Sequence, residues 1–141
     1  MRTSQFRLVA LALIGAAVFL TLVASAGARR APSSQARRAL ITAVHASSVG
    51  GLSKVPRSHY RVTDAQISSV SSSWASAQLT ATAAYRSSFQ NATIVAVQPA
   101  GTGRWVVVDL GSAQVGCGIA PNRVLQDLYR AKRPCASGGI R

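Results

Sequence analysis

The stretch Arg104-Trp105-Val106-Val107-Val108-Asp109-Leu110 decides the fold class of this chain. Its valines favour an extended backbone, and apolar side chains stand on nearly both faces of the strand that they predict. Alternation places two sets of side chains on opposite faces, namely Trp105, Val107 and Asp109 against Val106, Val108 and Leu110. Because both faces are largely apolar, we expect a central strand of a sheet.

Three shorter stretches predict the other strands. Residues 60–67 alternate with an irregularity near Asp64, and residues 74–84 are predicted to pair with them in antiparallel fashion. Residues 93–97 predict a third strand, and the glycines of residues 99–103 suit a hairpin loop before the Trp105 strand. The sheet is therefore expected to have four antiparallel strands.

Two stretches have helical spacing. Residues 36–47 place apolar side chains on one face, after a cap at Ser33 or Ser34 and before Gly50-Gly51. A second, short helix is predicted to begin near Pro121, with an apolar stripe of Val124, Leu125, Leu128 and Tyr129. We expect an α+β domain in which the first helix packs on the sheet, somewhat like a cystatin or NTF2-like half-roll.

The N-terminus carries an export signal. Arg2 and Arg7 precede an uncharged run, residues 8–28, with small-residue processing sites at its end. As a helix of about 1.5 Å per residue, the same run is long enough for a hydrocarbon core of about 30 Å. Residues 1–28 are therefore either a cleaved signal peptide or an uncleaved transmembrane anchor, whose membrane contact is residues 8–28. A linker, residues 29–35, precedes one small domain, residues 36–141, that is secreted or anchored with the domain outside the cell membrane.

The only two cysteines, Cys117 and Cys135, flank the short C-terminal helix. In an oxidising compartment such a pair is expected to be bridged. The two thiols lack neighbouring His or Cys ligands for zinc, and they are too far apart for a Cys-x-x-Cys redox motif. We predict a structural disulfide that fastens the helix to the end of the last strand.

Charge is the second strong signal in the composition. The formal net charge is +13, with 16 Lys and Arg against three acidic residues. Such a chain attracts polyanions, including nucleic acid, anionic lipid and acidic cell-wall polymers. The basic residues are spread along the chain without interleaved aromatics, so no specific nucleic-acid site is expected. The same spread favours a compositional preference for Arg, in which Arg serves as the default solubilising residue, over a dedicated polyanion site.

Residues with catalytic chemistry are scarce. The only carboxylates are Asp64, Asp109 and Asp127, and the only histidines are His45 and His59. No catalytic residue, metal or cofactor is therefore expected. His45 is predicted to be half-buried beside the core, and Asp127 to pair with a neighbouring Arg of its own helix, either Arg123 or Arg130.

Trp105, Asp109 and Trp74 are the candidate binding residues. Asp109 interrupts a run of valines beside Trp105, and two explanations stay open for it. It is either an outward-facing residue on a partly solvated face or a carboxylate in a binding pocket.

Several short motifs of the C-terminal half resemble those of small exported proteins of high-GC Gram-positive bacteria. The motifs are Gly103-Arg104-Trp105-Val106-Val107, Leu110-Gly111-Ser112, Val115-Gly116-Cys117, and Pro121 with Val124 and Leu128 before Cys135, to which Ser73-Trp74-Ala75 can be added. The resemblance implies the same order of helix, four strands and disulfide-bonded helix. It implies no activity and no catalytic residue.

The expected function is that of a noncatalytic envelope module with an anionic polymer or a protein as its partner. The alternative is a small secreted hydrolase or ligand-binding protein that uses the sheet face near Trp105 and Asp109. The scarcity of ionisable side chains other than Arg favours the first.

Overall fold

The computed structural model describes residues 30–135, in which two α-helices, three short 3-10 helices and four strands form an α+β fold. The α-helices are α1 (Ser34–Ala46) and α2 (Asn122–Tyr129), and the strands are β1 (Tyr60–Ile67), β2 (Trp74–Ala81), β3 (Ala92–Val97) and β4 (Val106–Gly111). The predicted signal or anchor, residues 1–28, lies outside the described residues. No helix within residues 30–135 has the length and hydropathy that a membrane span requires.

Each strand of the sheet pairs in antiparallel fashion with the next one along the chain, in the order β1-β2-β3-β4. β4 is therefore an edge strand, and the prediction that it is central is wrong. Its apolar character has another cause, since Val107 packs in the core on one side of the sheet and Val108 packs against a second core on the other side. A strand covered on both faces is apolar wherever it lies in the sheet.

Helix α1 begins as its sequence predicts. The side chain of Ser33 accepts a hydrogen bond from the backbone N–H of Ala36 at 3.1 Å, which satisfies one of the free donors of the first turn. The helix starts at Ser34, inside the predicted linker. Arg30, at the other end of that linker, forms a short antiparallel bridge to Ile67 of β1, with N–O distances of 3.3 and 3.1 Å. The predicted linker is therefore docked on the sheet edge.

The larger core lies between α1 and the sheet face that we call the α1 face. Its largest fully buried side chains are Leu40 and Val44 of the helix, with Leu79 and Ile94 of the sheet. Burial of each such side chain stabilises the fold by about 1.5 to 3 kcal/mol. Tyr60, Trp105 and Val107 extend the same core toward the sheet edges, and they belong to the set of buried residues there.

A smaller core lies on the opposite face, which we call the α2 face. Its buried residues are Val95 of β3, Val115 and Ala120 of the loop before α2, and Leu125 of α2. Helix α2 covers only the part of the face near Trp74 and Val95. The rest of this face is open to solvent, with the exposed Val106 at one edge and polar side chains over the first three strands.

Two β-bulges interrupt the pairing. In β1 the register shifts between Thr63 and Gln66, and Asp64 has a φ of +48°. The predicted irregularity near Asp64 is thereby confirmed. The second bulge lies in β4 opposite β3, where Val108 is the extra residue.

Candidate functional site

Trp105 and Asp109, which were predicted to flank one binding face, lie on opposite faces of the sheet. Trp105 is 8% exposed and packs in the core of the α1 face. The bulge at Val108 reverses the alternation of β4, so that Asp109 is paired with Val95 on the α2 face. The prediction that Trp105 and Asp109 share a face is therefore wrong.

The carboxylate of Asp109 is hydrogen-bonded to the loop between β4 and α2. Its Oδ1 accepts from the backbone N–H of Leu110 at 2.8 Å, and its Oδ2 accepts from the backbone N–H of Gly116. Gly116 has a φ of +84°, and a Cβ at this position would stand 2.9 Å from a methyl carbon of Leu125. Asp109 therefore fastens a turn that requires glycine, which is a structural role.

Trp74 is half-buried at the start of β2 and packs against the core under α2. It shares the α2 face with Asp109, whereas the sheet separates both from Trp105. The structure does not bring the three candidate binding residues together. Trp74 and Trp105 each contribute to a different core.

Cys117 and Cys135 form a disulfide, as predicted, with a Cα–Cα distance of 5.7 Å. Both residues are half-buried, and both pack against the small core of the α2 face. The bridge encloses α2. The hydroxyl of Tyr129, at the end of α2, donates a hydrogen bond to the carbonyl oxygen of Val115, just before the loop, at 2.9 Å. Burial, together with the nearby Asp109 charge, raises the pKa of Tyr129 to about 12.

Asp127 has partners that the sequence did not indicate. Its carboxylate accepts from the hydroxyls of Ser68 and Ser69, both at 2.8 Å, and from the backbone N–H of Ser69 at 2.7 Å. Burial alone would raise the pKa of Asp127, but the hydrogen bonds from Ser69, Ser68 and the backbone hold it below its ordinary value. The bonds tie α2 to the turn between β1 and β2, instead of the predicted pairing with Arg123 or Arg130.

Both histidines lie against aromatic rings. His45 is half-buried, as predicted, and stands edge-on to Tyr60 with ring centroids 6.0 Å apart. Burial lowers the pKa of His45, and the charge of Arg57 lowers it further. His59 stacks on Tyr85 with centroids 3.6 Å apart. These ring contacts are packing contacts.

Basic side chains are spread over the surface of the described residues. Every Arg and Lys of residues 30–135 is exposed, namely Arg30, Arg37, Arg38, Lys54, Arg57, Arg61, Arg86, Arg104, Arg123, Arg130, Lys132 and Arg133. Among the three carboxylates only Asp64 is exposed. The hydrogen bonds that Asp109 and Asp127 accept come from backbone N–H groups and serine hydroxyls, so neither carboxylate is paired with a basic side chain through them.

Much of the α2 face that the helix leaves uncovered is polar. Cross-strand pairing places five side chains there, Arg61 and Thr63 of β1, Gln78 and Thr80 of β2, and Thr93 of β3, which we call the polar sheet face. The hydroxyls of Thr63 and Thr80 lie 3.1 Å apart, and the amide nitrogen of Gln78 lies 3.0 Å from the hydroxyl of Thr93. Two separate hydrogen-bonded pairs, which we call the ladder, therefore join β1 to β2 and β2 to β3.

A cavity adjoins the polar sheet face on each of two sides. One, of about 680 Å³, is lined by Thr80 together with Arg86 and Asn91. The other, of about 270 Å³, is lined by Thr93 together with Arg133 and other residues of the loop and tail around α2. An exposed arginine thus stands on each side of the ladder.

No group of three His, Cys, Asp or Glu side chains in residues 30–135 is arranged to hold a metal ion. No family model, no curated protein and no solved structure matches this chain.

Proposed function

We propose that this chain is a noncatalytic module of the cell envelope that binds an anionic polymer through its basic surface. One observation carries the proposal. The basic side chains of the described residues are all exposed, whereas two of the three carboxylates, Asp109 and Asp127, are half-buried and accept backbone hydrogen bonds. The exposed surface therefore has a larger proportion of basic to acidic side chains than the sequence as a whole.

A surface of this kind favours polyanions through counterion release. Each phosphate or carboxylate that it neutralises frees a condensed counterion, so affinity falls steeply with salt. The positive potential also speeds the encounter with a negatively charged polymer. An acidic protein partner would be attracted by the same field, and it is the second candidate partner.

Export is part of the proposal. Residues 1–28 have the pattern of a signal peptide or an anchor, and the Cys117–Cys135 bridge is of the kind that persists in oxidising compartments. The resemblance of the C-terminal motifs to small exported proteins of high-GC Gram-positive bacteria supports the same location. We propose the cystatin or NTF2-like half-roll as the finer architecture. The arrangement of one helix packed on a four-stranded antiparallel sheet supports it.

The alternative function, a hydrolase or ligand-binding protein acting near Trp105 and Asp109, no longer has both side chains on one face to support it. The two side chains stand on opposite faces of the sheet, and the Asp109 carboxylate already accepts two backbone hydrogen bonds. No second function is therefore proposed.

The test is the salt dependence of binding to an acidic polymer. Purified protein is titrated with fluorescent polygalacturonate at several salt concentrations, with neutral dextran as the control polymer. We expect the logarithm of the binding constant to fall linearly with the logarithm of salt concentration, and dextran not to bind. Failure to bind any polyanion at low salt would refute the proposal. A reporter fused after Arg141 that is active only in the cytoplasm would refute export.

A further inference from the structure

We infer that the polar sheet face, with Arg86 and Arg133 beside it, is a binding site for an acidic polysaccharide whose sugar rings carry carboxylate groups. The inference rests on the proposed function and goes beyond it, because it assigns the binding to one surface and to one class of polymer.

The first argument is the chemistry of the ladder. Threonine hydroxyls and a glutamine amide each offer both donors and acceptors, as do the hydroxyls of a sugar ring. Thr63, Thr80, Gln78 and Thr93 supply these groups on one face, held by their mutual hydrogen bonds. A polyanion without hydroxyls, such as polyphosphate, accepts hydrogen bonds but does not donate them, so it cannot pair with both the donors and the acceptors of these side chains.

The second argument is charge complementarity. Arg61 stands on the face itself, opposite Thr80 across the β1–β2 pair. Arg86 and Arg133 line the two cavities that share Thr80 and Thr93 with the face. The planar fork of a guanidinium matches a carboxylate through two parallel hydrogen bonds. Three exposed arginines around a neutral polar floor are therefore suited to a sugar polymer with carboxylates along its length.

The third argument distinguishes the site from one for nucleic acid. None of the five residues of the polar sheet face is aromatic. An aromatic side chain lines each adjoining cavity, but both are half-buried and engaged in packing. Phe89 stacks on Tyr60, and Tyr129 packs against the α2-face core with its hydroxyl bonded to Val115. Single-stranded nucleic acids gain much of their affinity from base stacking, and the five side chains of the polar sheet face include no aromatic ring on which a base could stack.

The experiment compares two triple variants of the full chain that remove equal charge. One is Arg61→Gln, Arg86→Gln and Arg133→Gln. The matched control is Arg37→Gln, Arg38→Gln and Arg104→Gln, which changes exposed residues of α1 and of the segment before β4. We expect the first variant to lose about tenfold or more in affinity for polygalacturonate, and the control to lose only about twofold.

Equal losses in the two variants would overturn the site and leave the proposed function standing, since they would show a field spread over the surface. If the wild-type protein binds no polyanion, the proposed function itself fails. Thermal unfolding of each variant shows whether it is folded. The affinity of the single variant Arg61→Gln is measured as well, so that the site is still tested if a triple variant misfolds.

A second pair of measurements tests the sugar class. Thr63→Val with Thr80→Val removes both hydroxyls of one ladder bond and keeps the shape and β-propensity of the side chains. We expect affinity for polygalacturonate to fall about threefold or more, with affinity for polyphosphate unchanged. Equal effects on the two polymers, or tighter binding of single-stranded DNA than of polygalacturonate by the wild type, would overturn the assignment to a polysaccharide.

Discussion

The two faces of the sheet are closed in different ways. On the α1 face, a helix lays large side chains such as Leu40 and Val44 directly on Leu79 and Ile94, and apolar burial is sufficient to hold it. On the α2 face the core is small, and three kinds of bond reinforce it: the Cys117–Cys135 bridge, the carboxylate bonds of Asp109 and Asp127, and the Tyr129 hydroxyl bond. A helix of eight residues is too short to be stable unless it is held in place.

The disulfide provides the largest test of this comparison. By the chain-entropy relation, a closed loop of about 19 residues contributes about 3 kcal/mol, and we expect Cys117→Ser with Cys135→Ser to lower the free energy of unfolding by about that amount. Denaturant unfolding of the variant and the wild type measures the loss. Hydrogen exchange should show that protection falls in α2 more than in α1.

The control for this experiment is Leu40→Ala, which opens a cavity in the core of the α1 face. It should cost about 2 to 5 kcal/mol, with protection falling in α1. If the double serine variant is as stable as the wild type, or if both variants lose protection in both helices alike, the two faces are not closed in different ways.

Much of the fold could be predicted because its determinants are local. The Ser33 cap, the irregularity near Asp64 and the hairpin before β4 each follow from a few neighbouring residues. The disulfide could be predicted for another reason, since Cys117 and Cys135 are the only cysteines of the chain.

The edge position of β4 and the face of Asp109 could not be predicted. A run of valines shows that both faces of a strand are covered, but it does not show whether a second strand lies beside it. The bulge at Val108 has no glycine or other local signal, and yet this one extra residue moves Asp109 to the other face. That shift separates Asp109 from the two cavities that Trp105 lines, of about 430 and 410 Å³.

The hydrogen-bond partners of Asp127 could not be predicted from the sequence, for a different reason. Ser68 and Ser69 precede it by 59 and 58 residues, and they belong to a serine-rich turn in which no single serine stands out. The polar sheet face is similar, because its members come from three strands and only the register brings them together.

Asp127 gives the next largest expected effect on the α2 face. Asp127→Asn removes the charge that strengthens three hydrogen bonds from Ser68 and Ser69. We expect a loss of about 1 to 2 kcal/mol near neutral pH, less than for a buried pair because solvent screens part of the interaction. Denaturant unfolding with the same protocol gives the value.

The effect of Asp127 should depend on pH in a defined direction. Its folded pKa lies below the ordinary value of 3.8, so its stabilisation is present above that value and is lost as pH falls through the folded pKa. The difference in stability between wild type and Asp127→Asn should therefore shrink between about pH 5 and about pH 2. A difference that stays constant over this range would mean that the carboxylate charge does not hold α2 to the turn.

Tyr129 gives the smallest expected effect, with the opposite pH dependence. Tyr129→Phe removes the hydrogen bond to the Val115 carbonyl and should cost about 1 kcal/mol near neutral pH. The pKa of Tyr129 is raised from 10.0 to about 12 in the folded protein, so its stabilisation is present below the ordinary value and is lost as pH rises toward the folded one. Wild type and variant should therefore converge in stability above about pH 10, while the phenolate absorbance of the wild type shows the ionisation itself. Because other tyrosines titrate in both proteins alike, the difference between the two reports Tyr129. If the difference in stability between wild type and variant does not change at alkaline pH, the phenol is exposed to solvent. The Tyr129 bond is then not one of the three kinds of bond that distinguish the α2 face from the α1 face.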